Sequence, residues 1–300
     1  MSAPAGPART RGEAGFVLPS VLAILLVVAA AAATAVRAMQ TRSAATASRA
    51  ASLRLQGLAD GAVRLAAVSL VVQHARRMPG LGLPENGAPV ACPLPGGGTL
   101  ALAVQDQAGL VDLNASPRPL LEDAFRALGV PDRDAAALAA EAVDARDPDD
   151  APEPNGAEAA QYRARGIATG PRNAPFATID EIEELPSMTE TYAALLRPAV
   201  TVHNPGGGID LSVSPGRALT GGVLAQSIGQ YAATSPHRAY AVTVVASGPG
   251  GARAGRSAIL SVNAPGIGTG LVAWRFATEI APAAGRHPAC DAILAVLAPG

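Results

Sequence analysis

The chain has 300 residues, of which 49 % are hydrophobic and 16 % charged, a composition that excludes intrinsic disorder and allows one or two cores. Its formal net charge of −1 excludes a generally basic nucleic-acid-binding protein. Two cysteines cannot form a disulfide-dense scaffold, and the wide separation of Cys92 and Cys290 does not fit a zinc motif.

The amino-terminal segment predicts a membrane-spanning helix. Residues 16–36 carry no charge, and about 20 apolar residues are enough to cross a bilayer core. Arg9 and Arg11 precede this run, so we expect the amino terminus in the cytoplasm and the rest of the chain exported. A cleaved secretory signal is the alternative. A proline-free, helix-permissive pattern that continues to about Arg77 favours one retained helix over residues 16–77.

A short basic leader ends at Gly15, and Phe16 begins the apolar helix. This arrangement resembles the signal of type IV pilins and pseudopilins, in which a membrane peptidase cuts after the glycine and methylates the new amino-terminal residue. The resemblance implies a cleaved leader over residues 1–15, with Gly15 and Phe16 as the processing site. A plain membrane anchor without this processing is a further alternative for the segment. Ser20 stands where most members carry a glutamate. Lack of that carboxylate is a feature of the K-type minor pseudopilin, a tip subunit with no neighbour above it to bond.

The pattern changes after Met78, where the helical spacing ends. A loop rich in glycine and proline is predicted as far as residue 98. Two short strands are predicted to follow it, over residues 99–104 and 109–113.

An acidic helical domain is predicted in the middle of the chain, over residues 114–205. Ser116 and Pro117 are typical of a strand-to-helix junction, with Ser116 as the helix cap. Residues 109–200 carry 17 acidic residues and 8 arginines, a net charge of −9 that leaves +8 for the rest of the chain. Four apolar stripes at helical spacing predict its helices at residues 120–128, 133–145, 178–185 and 189–196.

The last third of the chain predicts the rest of an antiparallel sheet. Residues 210–215 repeat the Asp-Leu-(Asn/Ser)-x-Ser-Pro pattern of residues 112–117, which indicates that the helical domain is inserted between strands of one sheet. The predicted fold class is α+β, in which a pseudopilin-like domain over residues 78–113 and 206–300 carries an inserted all-α domain. A short helix is predicted at residues 223–230, and strands at 240–246, 257–262 and 271–276.

The acidic loop after the second helical stripe is a candidate calcium site. Hard cations take six to eight oxygen ligands, and alternate carboxylates in a tight loop converge on one point. An EF-hand begun at Asp147 would need glycine at its sixth position, where the chain has Pro152, so the loop is not an EF-hand. A solvated acidic loop remains the alternative from these residues alone. The candidate ligands are Asp144, Asp147, Asp149, Asp150 and Glu158.

The same stretch resembles the helical domain of the K-type minor pseudopilin of the type II secretion system. The matching residues are Asp144, Asp147 and Asp149, the Gly156-Ala157-Glu158 triplet, Tyr162, and the Asn173-Ala-Pro175-Phe176 segment. In that family the domain binds calcium, which implies Ca²⁺ as a structural cofactor held by the acidic loop. The departures are Ala145 for a tryptophan, Ala159 for a further acid, and Ser187 for a glycine.

Residues 179–198 resemble the second half of a helix-hairpin-helix unit, as in SAM-like domains. The hairpin around Ser187 lacks the glycine pair that holds phosphate in such units, and three glutamates precede it. Phosphate binding depends on arginine or lysine, so we expect no nucleic-acid partner and assign this topology to packing.

No catalytic site is predicted. Glycine clusters lack the lysine and the strand–helix setting of a phosphate loop. The cysteines, Cys92 and Cys290, fall on the exported side, where they could bond or both stay free. Four scattered histidines stand in no nucleophile motif: His74, His203, His237 and His287.

The resemblance implies a non-enzymatic structural subunit, a minor pseudopilin at the tip of the type II secretion pseudopilus that initiates its assembly for protein export. The implied partners are the I- and J-type minor pseudopilins, the major pseudopilin, the prepilin peptidase and the inner-membrane assembly platform. We expect a single-pass inner-membrane protein with a periplasmic carboxy-terminal domain. The alternatives are a tip minor pilin of a related type IV filament and a membrane-anchored exported enzyme.

Overall fold

The computed structural model describes residues 17–216, 225–262, 270–281 and 285–297. The predicted leader and the processing site at Gly15 and Phe16 lie outside these ranges. The chain divides into two compact units, Met1–Leu53 and Arg54–Gly300.

The first helix, α1, covers Val17–Leu70, and a π-helical turn follows over Val71–Ala75. Within the described residues, one helix is long and apolar enough to cross a membrane. The helix therefore has almost the extent that the sequence predicts. Pro19 lies in its first turn, where a missing backbone N–H costs no helical hydrogen bond.

The carboxy-terminal part of α1 belongs to the second unit and contributes one face to its core. The buried positions recur every three or four residues, as expected for a helix with one apolar face. They pack with the buried face of the sheet and with the last helix, α7 (Ala289–Leu297). These positions are Leu55, Ala59, Ala62, Val63, Ala66, Ala67 and Leu70.

A five-stranded antiparallel sheet forms the rest of this core. Its strands, in spatial order, are β1 (Val90–Pro93), β2 (Thr99–Asp106), β5 (Ala239–Ser247), β6 (Arg253–Ser261) and β7 (Gly270–Phe276). Buried and half-exposed side chains alternate strictly along β2, because one face of the sheet packs on α1. The strands predicted near residues 100, 240, 257 and 271 are all present.

Strand β1 and helix α7 were not predicted from the sequence, and neither were two short elements of the helical domain, the helix Ala159–Ala164 and the strand Val200–Thr201. Strand β1 lies in a segment that was expected to be loop, because its four residues include Pro93 and show no alternation that marks a strand. Helix α7 lies in the carboxy-terminal tail, for which no helix was predicted. A disulfide between Cys92 in β1 and Cys290 in α7 joins these two elements in the structure.

The helical domain leaves the sheet between two neighbouring strands. Strands β2 and β5 pair along their whole length, and the chain between them forms the insertion. A short parallel pair, β3 (Val111–Asp112) with β4 (Val200–Thr201), closes its base. The helices of the domain are α2 (Arg118–Ala127), α3 (Asp132–Arg146), α4 (Ala159–Ala164) and α5 (Glu190–Leu196).

Two local predictions within the helical domain differ from the structure. Ser116 does not cap α2: its hydroxyl accepts the Asp112 N–H at 3.0 Å, and Pro117 is the N-cap. The third stripe forms a 3₁₀ helix, Ile179–Glu184, because Leu185 and Pro186 end it after six residues.

The second Asp-Leu-x-x-Ser-Pro segment is not a strand-to-helix junction, since residues 211–216 form turns and bends. What the two repeats share is an aspartate that turns the backbone. Asp112 accepts the N–H of Asn114 at 2.7 Å, and Asp210 accepts that of Ser212 at 2.9 Å. Helix α6, Ala225–Gly229, lies within the range predicted for it.

Two glycines within α1 are expected to respond differently to alanine. A methyl group at Gly57 would meet no atom within 4 Å, whereas one at Gly61 would lie 2.9 Å from a methyl carbon of Leu297 in α7. Gly57→Ala should therefore stabilise the chain by about 1 kcal/mol through helix propensity. Gly61→Ala should gain less, because Leu297 must move. Thermal melts of both variants check this, and an equal gain at both positions would contradict the packing of α7 on α1.

Candidate metal site in the inserted domain

The acidic loop connects α3 to α4 and folds back on the end of α3. Asp144, which is buried in the last turn of α3, accepts backbone N–H groups with both carboxylate oxygens. One oxygen accepts from Glu153 at 2.9 Å and the other from Ala157 at 2.6 Å. Asp144 therefore holds the loop in shape.

Gly156 is the residue that allows this close approach. A methyl group built on it would overlap a carboxylate oxygen of Asp144, so no larger residue fits without displacing the loop. We expect Gly156→Ala to destabilise the inserted domain by about 1–3 kcal/mol, as overpacking in a close-packed region does. Thermal melting measures this, with Gly57→Ala as the control. An unchanged melting temperature for Gly156→Ala would contradict the contact with Asp144.

The loop also contains buried oxygen atoms that no hydrogen-bond donor reaches. Glu158 is only 5 % exposed, and neither of its carboxylate oxygens has a hydrogen-bond partner. It stands at the N-cap of α4, where its own N–H donates to the Gln161 side chain at 3.0 Å, but neither carboxylate oxygen accepts a hydrogen bond. Asp147 and Asn173 each add one buried oxygen without a partner. Orphaned buried acceptors are costly unless a cation satisfies them.

The charges in this loop reinforce one another. Burial, together with the negative charges of Asp144 and Asp147, raises the pKa of Glu158 to about 7. Burial also raises the pKa of Asp147 and of Asp144 above the usual carboxylic acid range. A neighbouring arginine, Arg118, is engaged by Glu153 at 2.8 Å. The loop therefore concentrates oxygen ligands and negative charge, a ligand set that suits a hard divalent cation such as Ca²⁺.

The predicted ligands have different positions in the structure. Glu158 and Asp147 present unpartnered oxygens, whereas Asp144 uses its oxygens on the backbone. Asp149 and Asp150 are exposed at the outer side of the loop.

Asn173 belongs to this site but was not proposed as a ligand from the sequence. Its amide nitrogen donates to the Asp149 carbonyl at 2.9 Å and to the Asp150 carboxylate at 3.0 Å, which leaves its oxygen without a donor. The Asn-x-Pro segment marked the residue in the sequence, but it gave no indication of a contact across more than twenty residues.

The base of the domain is tied by hydrogen bonds between distant segments. Asn114 exchanges two hydrogen bonds with the backbone of Phe176, at 3.0 and 2.7 Å. Arg146, at the end of α3, donates to the carbonyls of Leu113 and Ser116 at 2.6 and 2.8 Å. These contacts connect the end of α3 and the segment around Phe176 to the turn that follows β3.

The hairpin that resembles a phosphate-binding unit already holds an internal anion. Glu141 is 3 % exposed, and its carboxylate accepts the backbone N–H of Ser187 at 2.9 Å and its hydroxyl at 2.6 Å. The backbone amide that such a unit offers to a phosphate is therefore used within the domain.

These features define a class of protein. A membrane-capable helix, an antiparallel sheet packed on its continuation and an acidic helical insertion together describe a pseudopilin-type subunit. Residues 101–205 match the family described as type II secretion system (T2SS), protein K. This match covers the inserted domain and confirms the resemblance to the K-type minor pseudopilins that the sequence shows.

One solved structure is similar to this chain at low sequence identity. It is similar to a chain in the crystal structure of the GspK–GspI–GspJ complex from the type 2 secretion system of enterotoxigenic Escherichia coli. The sequence identity is 17 %, the TM-score is 0.49, and the alignment covers 81 % of this chain and 99 % of that one. A search of curated proteins gave no match.

Proposed function

We propose that the chain is a minor pseudopilin at the tip of the type II secretion pseudopilus, where it initiates assembly for protein export. The observation that carries the proposal is the match of residues 101–205 to protein K, in a domain inserted between paired strands of a sheet that packs on α1. A domain of this size would hinder the stacking of a further subunit above it. A tip position agrees with that bulk.

The anchor and its processing form part of the same proposal. Residues 16–36 would cross the inner membrane, with the amino terminus in the cytoplasm and the carboxy-terminal domain in the periplasm. Prepilin peptidase would cleave after Gly15 and methylate Phe16. Ser20 supplies no carboxylate to pair with the amine of a neighbouring subunit, as expected at a tip. Mass spectrometry of the mature chain tests the processing, and an amino terminus other than methylated Phe16 would contradict it.

The role is structural and non-enzymatic. The proposed contacts are with the I- and J-type minor pseudopilins at the tip, the major pseudopilin below them, and the inner-membrane assembly platform. No nucleic acid is involved.

Calcium completes the proposal. Glu158, Asp147 and Asn173 would hold Ca²⁺ with the oxygens that lack donors, and Asp149 and Asp150 could add carboxylate oxygens from the outer side of the loop. Asp144 would hold the loop in its binding shape. The bound ion would supply the positive charge that these buried carboxylates need, and so stabilise the domain.

The tip role is tested by deleting the gene from its host and restoring it on a plasmid. We expect the deletion to stop export of type II substrates and pseudopilus formation, and cross-linking in the restored strain to capture the I- and J-type subunits. Normal export with loss of a retractile pilus would instead identify a tip minor pilin of a related filament. Gly57→Ala, which touches nothing, is the variant expected to restore export fully.

A further inference from the structure

A second group of ligating side chains lies outside the inserted domain, where three segments of the sheet unit meet. His74 is in the π-helical turn after α1, Glu85 in the loop before β1, and His237 just before β5. Among the described residues, this is the group of three whose ligand atoms all lie within 4.8 Å of one another. The His74 Nε2 is 2.7 Å from one Glu85 oxygen, and the His237 Nδ1 is 3.7 Å from the other.

A second layer of polar groups surrounds these three. The buried carboxylate of Asp106 and the hydroxyl of Tyr240 lie 3.0 and 2.9 Å from the His237 Nδ1. Tyr240 donates to Glu85 at 3.1 Å, and Gln73 donates to the other Glu85 oxygen at 2.9 Å. In the described part of the chain, neither carboxylate forms an ion pair with an arginine. Two carboxylates and two imidazoles thus share one site without a fixed positive charge.

The backbone is unusual at both histidines. His74 lies in a π-helical turn, a rare conformation that is frequent at functional sites. His237 has a φ of +52°, in the left-handed region that side chains other than glycine seldom adopt. Such local strain persists where the surroundings hold it, and it clusters at ligand sites. Both distortions place an imidazole against Glu85.

We propose that His74, His237 and Glu85 bind one divalent transition-metal ion of the zinc type, with a solvent molecule completing the fourth position. Imidazole nitrogens favour such ions over calcium, for which oxygen ligands are preferred. With metal–ligand bonds of about 2.0–2.1 Å, tetrahedral ligand atoms lie about 3.3 Å apart. The two separations from Glu85, 2.7 Å to His74 and 3.7 Å to His237, lie on both sides of that value.

Binding requires one local adjustment. The two imidazole rings are stacked, with centroids 4.0 Å apart and planes 17° from parallel, so their lone pairs do not yet converge. The side chain of His237 is 37 % exposed and can turn toward the ion, while His74 and Glu85 are more enclosed. The exposed side of His237 also gives the ion a path from solvent.

The bound ion would cross-link the end of α1 to the sheet. His237 is far in sequence from His74 and Glu85, so binding would stabilise the folded unit and restrain the helix end. The acidic loop of the inserted domain contains no group as compact as this one and offers no nitrogen donor. The two sites should therefore bind different ions.

The test uses the full chain in detergent, stripped of metal and titrated with cobalt(II) chloride and then with zinc. We expect one equivalent of Co²⁺ to give the visible absorption of a tetrahedral site, and Zn²⁺ to abolish it. His74→Ala and His237→Ala should each weaken Co²⁺ binding by more than about 100-fold, since changes outside the ligand shell alone cost about 10–100-fold. His203→Ala, which lies outside the cluster, should bind as the parent does.

Further measurements distinguish loss of metal binding from loss of folding, and this site from the calcium site. Unchanged circular dichroism and an unchanged calcium response would show that the histidine variants fold, and His237→Gln repeats the loss with a side chain that still forms hydrogen bonds. Asp147→Asn with Glu158→Gln should leave Co²⁺ binding intact, as should excess calcium. Absence of a tetrahedral spectrum, equal binding by His74→Ala and the parent, or displacement of Co²⁺ by calcium would each overturn the proposal.

Discussion

At pH 7 and above, the full chain should unfold at a higher temperature in about 10 mM calcium than in chelator. Exported calcium modules commonly bind with dissociation constants of about 10⁻⁴–10⁻³ M, so this concentration is a 10- to 100-fold excess. Mass action then stabilises the folded state by about 1.4–2.7 kcal/mol. Scanning calorimetry in detergent measures the shift. Hydrogen exchange should localise the added protection to the loop between α3 and α4.

The same site predicts a pH dependence that calcium reverses. The folded domain holds a proton on Glu158 up to a pKa of about 7, whereas the unfolded chain releases it near the ordinary value of 4.5. The folded state therefore binds more protons between these two values, and stability in chelator falls as the pH rises from about 4.5 to 7. Bound Ca²⁺ favours the ionised carboxylate. With calcium present, the decline over this interval should be abolished or inverted.

Two variants test whether Glu158 causes the calcium response and the pH dependence of stability. Glu158→Gln mimics the protonated acid, so it should melt in chelator with little dependence on pH over this interval and lose most of the calcium response. Glu190→Gln is the matched control, because Glu190 is exposed at the start of α5 and should keep both effects. A calcium response that survives in Glu158→Gln would place the ion elsewhere. Equal melting temperatures of the parent chain in chelator and in calcium would mean that the site is absent.

Loss of the disulfide is the second change with a large expected effect. The bond joins β1 to α7 across 198 residues of sequence, and both sulfur-bearing residues are fully buried. Closing so long a loop restricts the unfolded chain, and removal of such a bond typically costs about 2–5 kcal/mol. We expect Cys92→Ser with Cys290→Ser to lower the melting temperature. Hydrogen exchange should show that α7 loses protection first.

The controls for this experiment use the same thiols. Mass measurement after alkylation, with and without reductant, reports whether the parent chain is bonded, and two freely alkylated thiols in unreduced protein would exclude the bond. Reductant should lower the melting temperature of the parent but leave the double variant unchanged. Retained protection of α7 in the reduced parent would mean that packing of Ile293 and Leu297 suffices to hold the helix.

Much of the architecture could be predicted from local patterns. An uncharged run long enough to cross a bilayer predicts α1, and alternation in the last third predicts β5, β6 and β7, because both signals lie within a few consecutive residues. The acidic segment between residues 109 and 200 marks the inserted domain by its charge. The family resemblance rests on short motifs in that same segment, and the match over residues 101–205 confirms it there.

The sequence alone therefore determined the membrane-capable helix, the class of fold, and the acidic loop as a candidate calcium site. Tertiary structure decided which oxygens in that loop lack donors, the use of Asp144 on the backbone, and the approach of Asn173. It also brought together Cys92 with Cys290 and His74 with His237, pairs that no sequence pattern connects. The physical reason is that each of these contacts joins segments far apart in the chain. Helical and strand periodicity report only which face of an element is buried, whereas the partner on that face is set by how the elements pack.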